Sequence, residues 1–246
     1  MNFFTYNGIS SKDMGVFIQS KNIYSAPKYD VTMTAIPGRN GELISPNGRY
    51  PNAAVSYTCF VAAKDKAELA EKLTAIKNWL YTEPDRYHDL SDTYDTRHTR
   101  KAVFNNKLDI SEQVLKIGTF TVNFSAKPFK YLNTGLALQT HTDSFTLINP
   151  YAFTAKPYIK VNGRGNGRLV IQSAGSNKVW QFETLNGYTE CDSELMNFYH
   201  DTVLKNDTVI GEGFPKLPSG TVTISFEGGI TLSLIHISEP TRHAQI

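Results

Sequence analysis

The chain has 246 residues, of which 40% are hydrophobic and 20% charged, and this balance is typical of a folded protein of about two domains. Its 25 Lys and Arg residues against 23 Asp and Glu residues leave a net charge of +2, which is too weak a bias to favour nucleic-acid binding through phosphate neutralisation. There is no apolar run long enough for a membrane span, and the first residues lack the basic and apolar regions of a secretory signal. We therefore expect folding in a reducing cytoplasm, with Cys59 and Cys191 as free, structural thiols.

The chain begins with segments that are typical of strands. Residues 3–6, 16–18, 30–36 and 55–61 are rich in aromatic and β-branched side chains, and turn-forming Gly, Pro, Asn and Asp residues separate them. A Pro-Gly-Arg-Asn-Gly run at residues 37–41 interrupts two strand-like segments and predicts a turn between them.

One segment, residues 65–80, has clear helical spacing. Asp65 is a suitable N-cap, and Glu68 three residues later completes a plausible capping box. The apolar stripe consists of Leu69, Leu73, Ile76 and Leu80. A single amphipathic helix in a β-rich chain has to lay its stripe on a sheet, so we expect it to help build the first core.

A polar segment follows the helix. Residues 85–100 predict a loop, after which residues 101–104 and 118–125 predict two strands. The second strand alternates strictly, with Phe120, Val122 and Phe124 set against Thr and Asn, and this is typical of a half-buried strand.

The second half has no helical periodicity of useful length. It contains short apolar segments separated by Asn, Gly and Pro, a pattern typical of a β-sandwich. These segments are residues 137–140, 144–148, 157–161, 167–171, 178–182 and 221–226. We predict a boundary near residue 132, which gives one domain at 1–132 and a second at 133–231.

The order and spacing of several motifs resemble the phage distal tail protein (Dit) family. No single motif is specific, but together they span about half the chain. In the first half they are residues 6–9 with Gly15, 25–27, 37–41, 48–50, 76–80, Tyr94 and Asp95 with Arg100, and 127–131, and weaker matches follow at 191–199 and 214–220.

The resemblance implies a mainly β fold. The first domain would be an α+β unit, a β-sandwich with one packed helix and a β-hairpin, and the second a galectin-like β-sandwich that projects outward. Six copies would form a ring at the far end of a long non-contractile tail, in a siphophage or prophage of a Gram-positive host.

The same resemblance implies partners and a location. The ring would join the tail tube protein to the tail-tip or baseplate and its receptor-binding proteins, while the tape-measure protein and then DNA pass through the lumen. The protein would be made in the host cytoplasm and end in the virion, without a membrane, a specific nucleic-acid site, a cofactor or a metal.

We expect the ring contacts in two turn-rich segments of the first domain, residues 37–50 and 85–100, because Arg and Tyr on exposed loops are enriched at interfaces. For each residue taken singly, the alternative that it only covers the domain's own surface has equal support. The candidate contact residues are Arg39, Arg49, Tyr50, Tyr94 and Arg97.

A carbohydrate-binding module that attaches virions to the cell wall is the alternative function. Trp180 and Tyr188 could stack on a sugar, although alternation favours Trp180 as a core residue. A galectin-like fold does not by itself imply sugar binding.

Catalytic and metal sites have little support. Asp192 and Glu194 share a face if they lie on a strand, but two carboxylates alone do not make a glycosidase. The aspartates of residues 85–95 lack the central Gly and terminal Glu of an EF-hand loop, and the histidines have no metal-ligand spacing. We therefore predict a protein that is not an enzyme.

The last residues, 232–246, look like the translation of a sequencing adapter. We interpret them as foreign to the natural protein, whose own end was lost near Thr231. The alternative is a genuine strand, because residues 232–237 alternate acceptably. A continuous genomic read that encodes residues 232–246 would overturn the adapter interpretation.

Overall fold

A computed structural model of the chain describes residues 1–113, 116–136 and 139–236. Most of them lie in β-strands, which confirms the predicted mainly β fold class. The chain forms two compact units, of which the first comprises residues 1–130 and the second begins at Tyr131. Cys59 and Cys191 are buried free thiols, one in each unit. In the part of the chain described, no helix has the length and apolar character needed to cross a membrane.

The first unit contains ten strands and one α-helix among its described residues. In chain order these are β1 (Phe4–Tyr6), β2 (Ile9–Ser10), β3 (Val16–Asn22), β4 (Val31–Ala35), β5 (Glu42–Pro46), β6 (Ala53–Ala62), α1 (Lys66–Leu80), β7 (His88–Asp92), β8 (Asp95–Val103), β9 (Ile110–Gln113) and β10 (Ile117–Leu132).

Eight of these strands form one curled sheet. Its order is β2-β1-β7-β8-β10-β6-β3, with β9 paired to β10. The ring of Phe4 on β1 stacks on that of Tyr57 on β6 with 5.0 Å between centroids. The Ile18 N–H of the opposite edge strand donates to the Asn2 carbonyl at 2.9 Å. The two halves of the sheet therefore face each other across one core.

The helix begins as the sequence predicts. The Asp65 carboxylate accepts the Glu68 N–H at 2.9 Å, as expected of an N-cap. The Glu68 side chain accepts the N–H of Lys64 at 2.8 Å, one residue earlier than a capping box requires. Both acidic side chains still satisfy N–H groups at the helix start.

The predicted stripe of α1 packs against the sheet. Trp79 joins it, because its indole N–H donates to the Tyr6 carbonyl at 3.1 Å and its ring stacks on Phe4 at 5.5 Å. The buried residues of α1 are Leu69, Ile76, Trp79 and Leu80, and Leu73 packs against the same core while partly exposed.

The prediction of a loop at residues 85–100 is wrong. Strands β7 and β8 occupy most of it and pair in antiparallel register, with Leu90 opposite Arg100. Their inward-facing residues include His88, Asp92 and Arg100, all of them buried. The polar character that suggests a loop therefore belongs to the inner face of a sheet.

The remaining two strands, β4 and β5, form a separate hairpin that pairs with neither large sheet. The turn between them carries Gly38 and Gly41 at φ of +76° and +83°. Only glycine adopts such angles readily, which explains the Pro-Gly-Arg-Asn-Gly sequence.

The second unit contains eight strands and a short 3₁₀ helix at Asn133–Leu136 among its described residues. The strands are β11 (Thr140–His141), β12 (Phe145–Asn149), β13 (Tyr158–Ser173), β14 (Ser176–Asp192), β15 (Asn197–His200), β16 (Val203–Leu204), β17 (Val209–Gly211) and β18 (Gly220–His236). Their path is β11-β18-β13-β14-β15-β16, with β12 paired to β18 and β17 to β14.

The long strands of this unit bend at glycines. A Cβ on Gly163 would lie 2.4 Å from the Gly229 carbonyl oxygen, and one on Gly167 would lie 2.2 Å from Ile230 Cγ2. Residues 162–167, which lie between two of the predicted strands, are therefore a bend within the single strand β13. Val161 before the bend and Leu169 after it lie in the same core, so the folded strands enclose it from both sides.

Strand β18 continues through residue 236. Leu232 lies opposite His141 of β11, and Ile235 lies opposite Ile159 of β13. Residues 237–246 lie outside the described residues. The adapter interpretation of 232–246 and the domain limits at 132 and 231 stay predictions.

Candidate interaction surfaces

The β4–β5 hairpin has two chemically different faces. Directly opposed residues of an antiparallel pair share a face, and successive residues alternate. Met33 lies opposite Ile44, while Thr34 lies opposite Leu43. We call the Met33 side the apolar face; it comprises Val31, Met33, Ala35, Ile44 and Pro46, with Glu42 at its end.

Solvent reaches this apolar face. Met33 is 49% exposed and Ile44 59%, and neither belongs to a core of the unit. The other face carries Thr32, Thr34 and Ser45 around Leu43. A two-stranded hairpin is marginal in water without a covered hydrophobic side, so the exposed apolar face is a candidate interaction surface.

The hairpin has a well-bonded base. The Asp30 carboxylate accepts the Arg49 Nε–H at 2.6 Å and the Asn47 amide at 2.9 Å. These two hydrogen bonds lower the pKa of Asp30 below its ordinary value, and the bond from Asn47 has the larger effect. The ring of Tyr50 packs on Tyr29 with 4.8 Å between centroids. The base is therefore held while the strands beyond it stay exposed.

The predicted contact residues of 37–50 divide between the tip and the base. Arg39 is exposed in the hairpin turn, where its N–H donates to the Ile36 carbonyl. Arg49 and Tyr50 lie at the base, and Tyr50 also contacts Phe129 of β10 edge-on at 5.8 Å. Their visible role is to hold the hairpin, and a contact with another chain stays a proposal.

Of the other two predicted contact residues, Tyr94 lies in the turn between β7 and β8 and Arg97 near the start of β8. Tyr94 is half-buried, with the Lys21 ammonium 3.2 Å from its ring centroid and the Asn2 amide donating to its hydroxyl at 3.0 Å. The Arg97 side chain is exposed and makes no hydrogen bond or ion pair with a described residue. Of the two residues, only Arg97 has a side chain without a partner among the described residues.

A buried ion pair joins β7 and β8 on the inner face of the sheet. The Arg100 guanidinium contacts the Asp92 carboxylate at 3.1 Å, with side chains 3% and 0% exposed. The Tyr57 hydroxyl donates to the same carboxylate at 2.7 Å, and Arg100 also donates to the Ile23 carbonyl at 3.3 Å. Burial, and then the Asp92 charge, raise the pKa of Tyr57 well above its ordinary value, which keeps the phenol neutral.

A second ionic group stands beside it. The Asp95 carboxylate contacts Lys130 at 2.5 Å and His98 at 2.7 Å. Burial alone would raise the pKa of Asp95, but hydrogen bonds from Lys130 and His98 outweigh it and lower the pKa to about 2. Asp89 also pairs with Lys101 at 2.6 Å. Three aspartates of this region, Asp89, Asp92 and Asp95, therefore have cationic partners. No cluster of metal-ligating side chains occurs among the residues with described positions.

The two candidate sugar-binding residues, Trp180 and Tyr188, have different environments. Trp180 is 2% exposed, and its indole N–H donates to the Gly213 carbonyl at 2.8 Å. A ring buried to this extent has no face for a sugar. Tyr188 carries the Lys160 ammonium 3.4 Å from its ring centroid and the His200 ring at 4.2 Å. The structure therefore does not bring Trp180 and Tyr188 together as a stacking platform.

A polar cavity of about 220 Å³ lies next to Tyr188 in the second unit, between β14 and the segment after β15. Glu183, Thr184 and Lys205 are among the residues that line it. Asp192 lies apart from this cavity lining, and its carboxylate accepts the N–H groups of Glu194 and Leu195 at 2.9 Å each. The Asp192 side chain thus closes a turn, as aspartate often does.

Sequence reasoning missed the apolar face. Val31, Met33 and Ala35 alternate with threonines, and this signal was present in the predicted strand at 30–36. The sequence alone does not show whether another element covers this face, and the structure shows that no described element does.

No protein-family model matches the chain, and a comparison with curated proteins finds no match. Among solved structures, the crystal structure of the SPP1 Dit (gp 19.1) protein, described as a paradigm of the hub adsorption apparatus in phages that infect Gram-positive bacteria, matches with a TM-score of 0.68. The two sequences are 13% identical, and the match covers 96% of this chain and 98% of that one.

Two structures of the phage P2 baseplate in its activated conformation, one with Ca and one with Sr, also match. Each has a TM-score of 0.49 and 7% identity over 98% of this chain and 100% of the other. From the SPP1 match we conclude that this chain has the fold of a Dit protein, which confirms the predicted resemblance at the level of the fold.

Proposed function

We propose that this chain is a structural distal tail protein, six copies of which form a closed ring at the end of a siphophage tail. The ring joins the tail tube to the tail tip or baseplate and its receptor-binding proteins. The tape-measure protein and DNA pass through its lumen, and no catalytic step takes place in the chain.

The apolar face of the β4–β5 hairpin is the observation that carries this proposal. It presents Met33 and Ile44 to solvent on an arm with a well-bonded base. An arm that docks on a different surface of the next copy makes a heterologous contact, and such contacts close into rings when the rotation permits. The SPP1 Dit fold over nearly the whole chain supports a hub role.

Assembly gives a direct test. Ile44→Asp places a charge on the apolar face, so we expect it to abolish the six-chain species. Leu43→Asp is the matched control, because Leu43 is its neighbour, is 45% exposed and lies on the opposite face. Size-exclusion chromatography with light scattering measures the mass, and electron micrographs show the rotational symmetry.

The two outcomes are distinct. A mass near six chains for the parent and for Leu43→Asp, with a smaller mass for Ile44→Asp, supports the proposal. A parent chain that stays monomeric at every concentration would contradict it.

The carbohydrate-binding alternative has one supporting observation, the polar cavity next to Tyr188. Against it, Trp180 is buried and the Tyr188 ring is already covered by Lys160 and His200. Binding of the monomeric chain to cell-wall saccharide, lost on Tyr188→Ala, would favour this alternative over the ring.

A further inference from the structure

Six Asn-Gly pairs occur in the chain, and they lie in different structural settings. In such a pair the backbone nitrogen of the glycine can attack the side-chain carbonyl of the asparagine, because glycine has no Cβ to obstruct the approach. The reaction requires that the asparagine side chain and the glycine backbone are both free to rearrange. The six asparagines are Asn7, Asn40, Asn47, Asn162, Asn166 and Asn186.

Asn40 lies in an open setting, the turn between β4 and β5. Its side chain is exposed and makes no hydrogen bond with a described residue. Gly41 follows at φ +83°, and a Cβ built on it would meet no atom within 4 Å. The turn is closed before the pair, where the Arg39 N–H donates to the Ile36 carbonyl at 3.1 Å. The Asn40 side chain can therefore turn toward the Gly41 nitrogen without breaking a bond.

Asn47, at the base of the same hairpin, is held in place. Its amide donates to the Asp30 carboxylate at 2.9 Å and to the Thr32 hydroxyl at 3.4 Å. Its backbone N–H donates to the Asp30 carbonyl at 3.0 Å. Gly48 has a positive φ of +72°, so the two pairs of the hairpin share their sequence and the sign of the glycine φ. They differ in hydrogen bonding, which the Asn47 side chain has to give up before it can react.

Strand pairing or a tight turn restrains the other four pairs. Asn162, Asn166 and Asn186 lie within β13 or β14, and the glycines after Asn162 and Asn186 lie opposite each other. The Asn166 side-chain oxygen accepts a backbone N–H of β14 at 3.2 Å. Asn7 lies in the two-residue turn between β1 and β2, where its N–H donates to the Asp89 carbonyl at 3.0 Å. Of the six pairs, the fold thus restrains Asn40 least.

We propose that Asn40 and Gly41, at the tip of the β4–β5 hairpin, form a site of spontaneous deamidation. The Gly41 nitrogen bonds to the Asn40 Cγ, its proton passes through water to the side-chain amide nitrogen, and that nitrogen leaves as ammonia. The result is a five-membered succinimide ring. Water then adds to one of the two ring carbonyls, and the bond from that carbonyl to the ring nitrogen breaks. The product is aspartate or isoaspartate at position 40.

The reaction places a new carboxylate at the hairpin tip. Residues 36–42 contain one Arg and one Glu, whose charges cancel, so the product leaves this segment with one net negative charge. Isoaspartate also adds a methylene group to the main chain of the turn. This inference goes beyond the proposed function, because the chemistry needs a folded hairpin and no second chain.

Peptide mapping of the full chain tests the site. The chain is incubated in mildly alkaline buffer and digested, and the gain of about 1 Da that marks deamidation is followed at all six asparagines. We expect Asn40 to react about tenfold faster, or more, than each of the other five, because paired strands and bonded turns have to open before they react. In guanidinium chloride the six rates should converge, since unfolding removes the restraints.

Two variants complete the test. Asn40→Gln should abolish the mass gain in this peptide, because glutamine would have to close a larger ring. Asp30→Ala should raise the rate at Asn47 toward that at Asn40, because it removes the carboxylate that holds the Asn47 amide. A folded chain in which Asn40 reacts no faster than the other five would overturn the proposal. The same preference for Asn40 in guanidinium chloride would overturn it as well, since the fold would then play no part.

Discussion

The charged residues inside the first unit control its stability at the scale of single side chains. Arg100 and Asp92 are both buried, so removing one leaves the other as an uncompensated charge. We expect Arg100→Leu to lower the free energy of unfolding of this unit by about 3–5 kcal/mol. Denaturant titration measures the loss.

Arg97 provides the matched control for this prediction. It lies on the same strand but is exposed and has no partner among the described residues. Arg97→Leu should change the free energy of unfolding by no more than about 0.5 kcal/mol. Equal losses from the two variants would mean that the ion pair is not what stabilises this strand.

The same buried charges explain what the sequence could not predict. Alternation identifies a strand by its apolar residues, and it succeeded for β10, whose inner face carries Phe120, Val122 and Phe124. On β7 the inner face carries His88 and Asp92. Such residues enter a core only when partners satisfy them, and one partner of Asp92, the Tyr57 hydroxyl, comes from β6, which lies far away in sequence.

At the scale of elements, α1 depends on Trp79 for its contact with β1. The indole is 5% exposed, stacks on Phe4 and donates to the Tyr6 carbonyl. We expect Trp79→Ala to lower the free energy of unfolding of the first unit by about 3–5 kcal/mol, since it creates a cavity and leaves a carbonyl unpaired. Denaturant titration followed by circular dichroism measures it.

Asn78 is the matched control at the preceding position of α1, where the side chain is exposed. Asn78→Ala should be neutral or slightly stabilising, because alanine has the higher helix propensity. A loss below about 1 kcal/mol for Trp79→Ala would show that the helix does not rely on this contact.

Elements with one dominant local signal were predictable, and elements shaped by distant contacts were not. Asp65 and the aliphatic stripe identify α1 without further information. The bend of β13 depends on Gly163 and Gly167 approaching Gly229 and Ile230, which lie more than sixty residues later. In the sequence those glycines indicate only a turn.

At the scale of the whole molecule, the two units have separate hydrophobic cores and separate sheets. The apolar face of the hairpin, which is the surface assigned to the ring, belongs to the first unit. The second unit does not contribute to this face. Ring formation is therefore a property that the first unit should keep without the second.

Separate expression of the two proposed domains tests this division. We expect residues 1–132 to unfold cooperatively and to give a mass near six chains in light scattering, because their core and the hairpin are present. Residues 133–231 should remain single chains, since they lack the hairpin. If residues 1–132 folded but stayed monomeric while the full chain formed rings, the second unit would have to supply a contact, and the assignment of the ring to the first unit would be wrong.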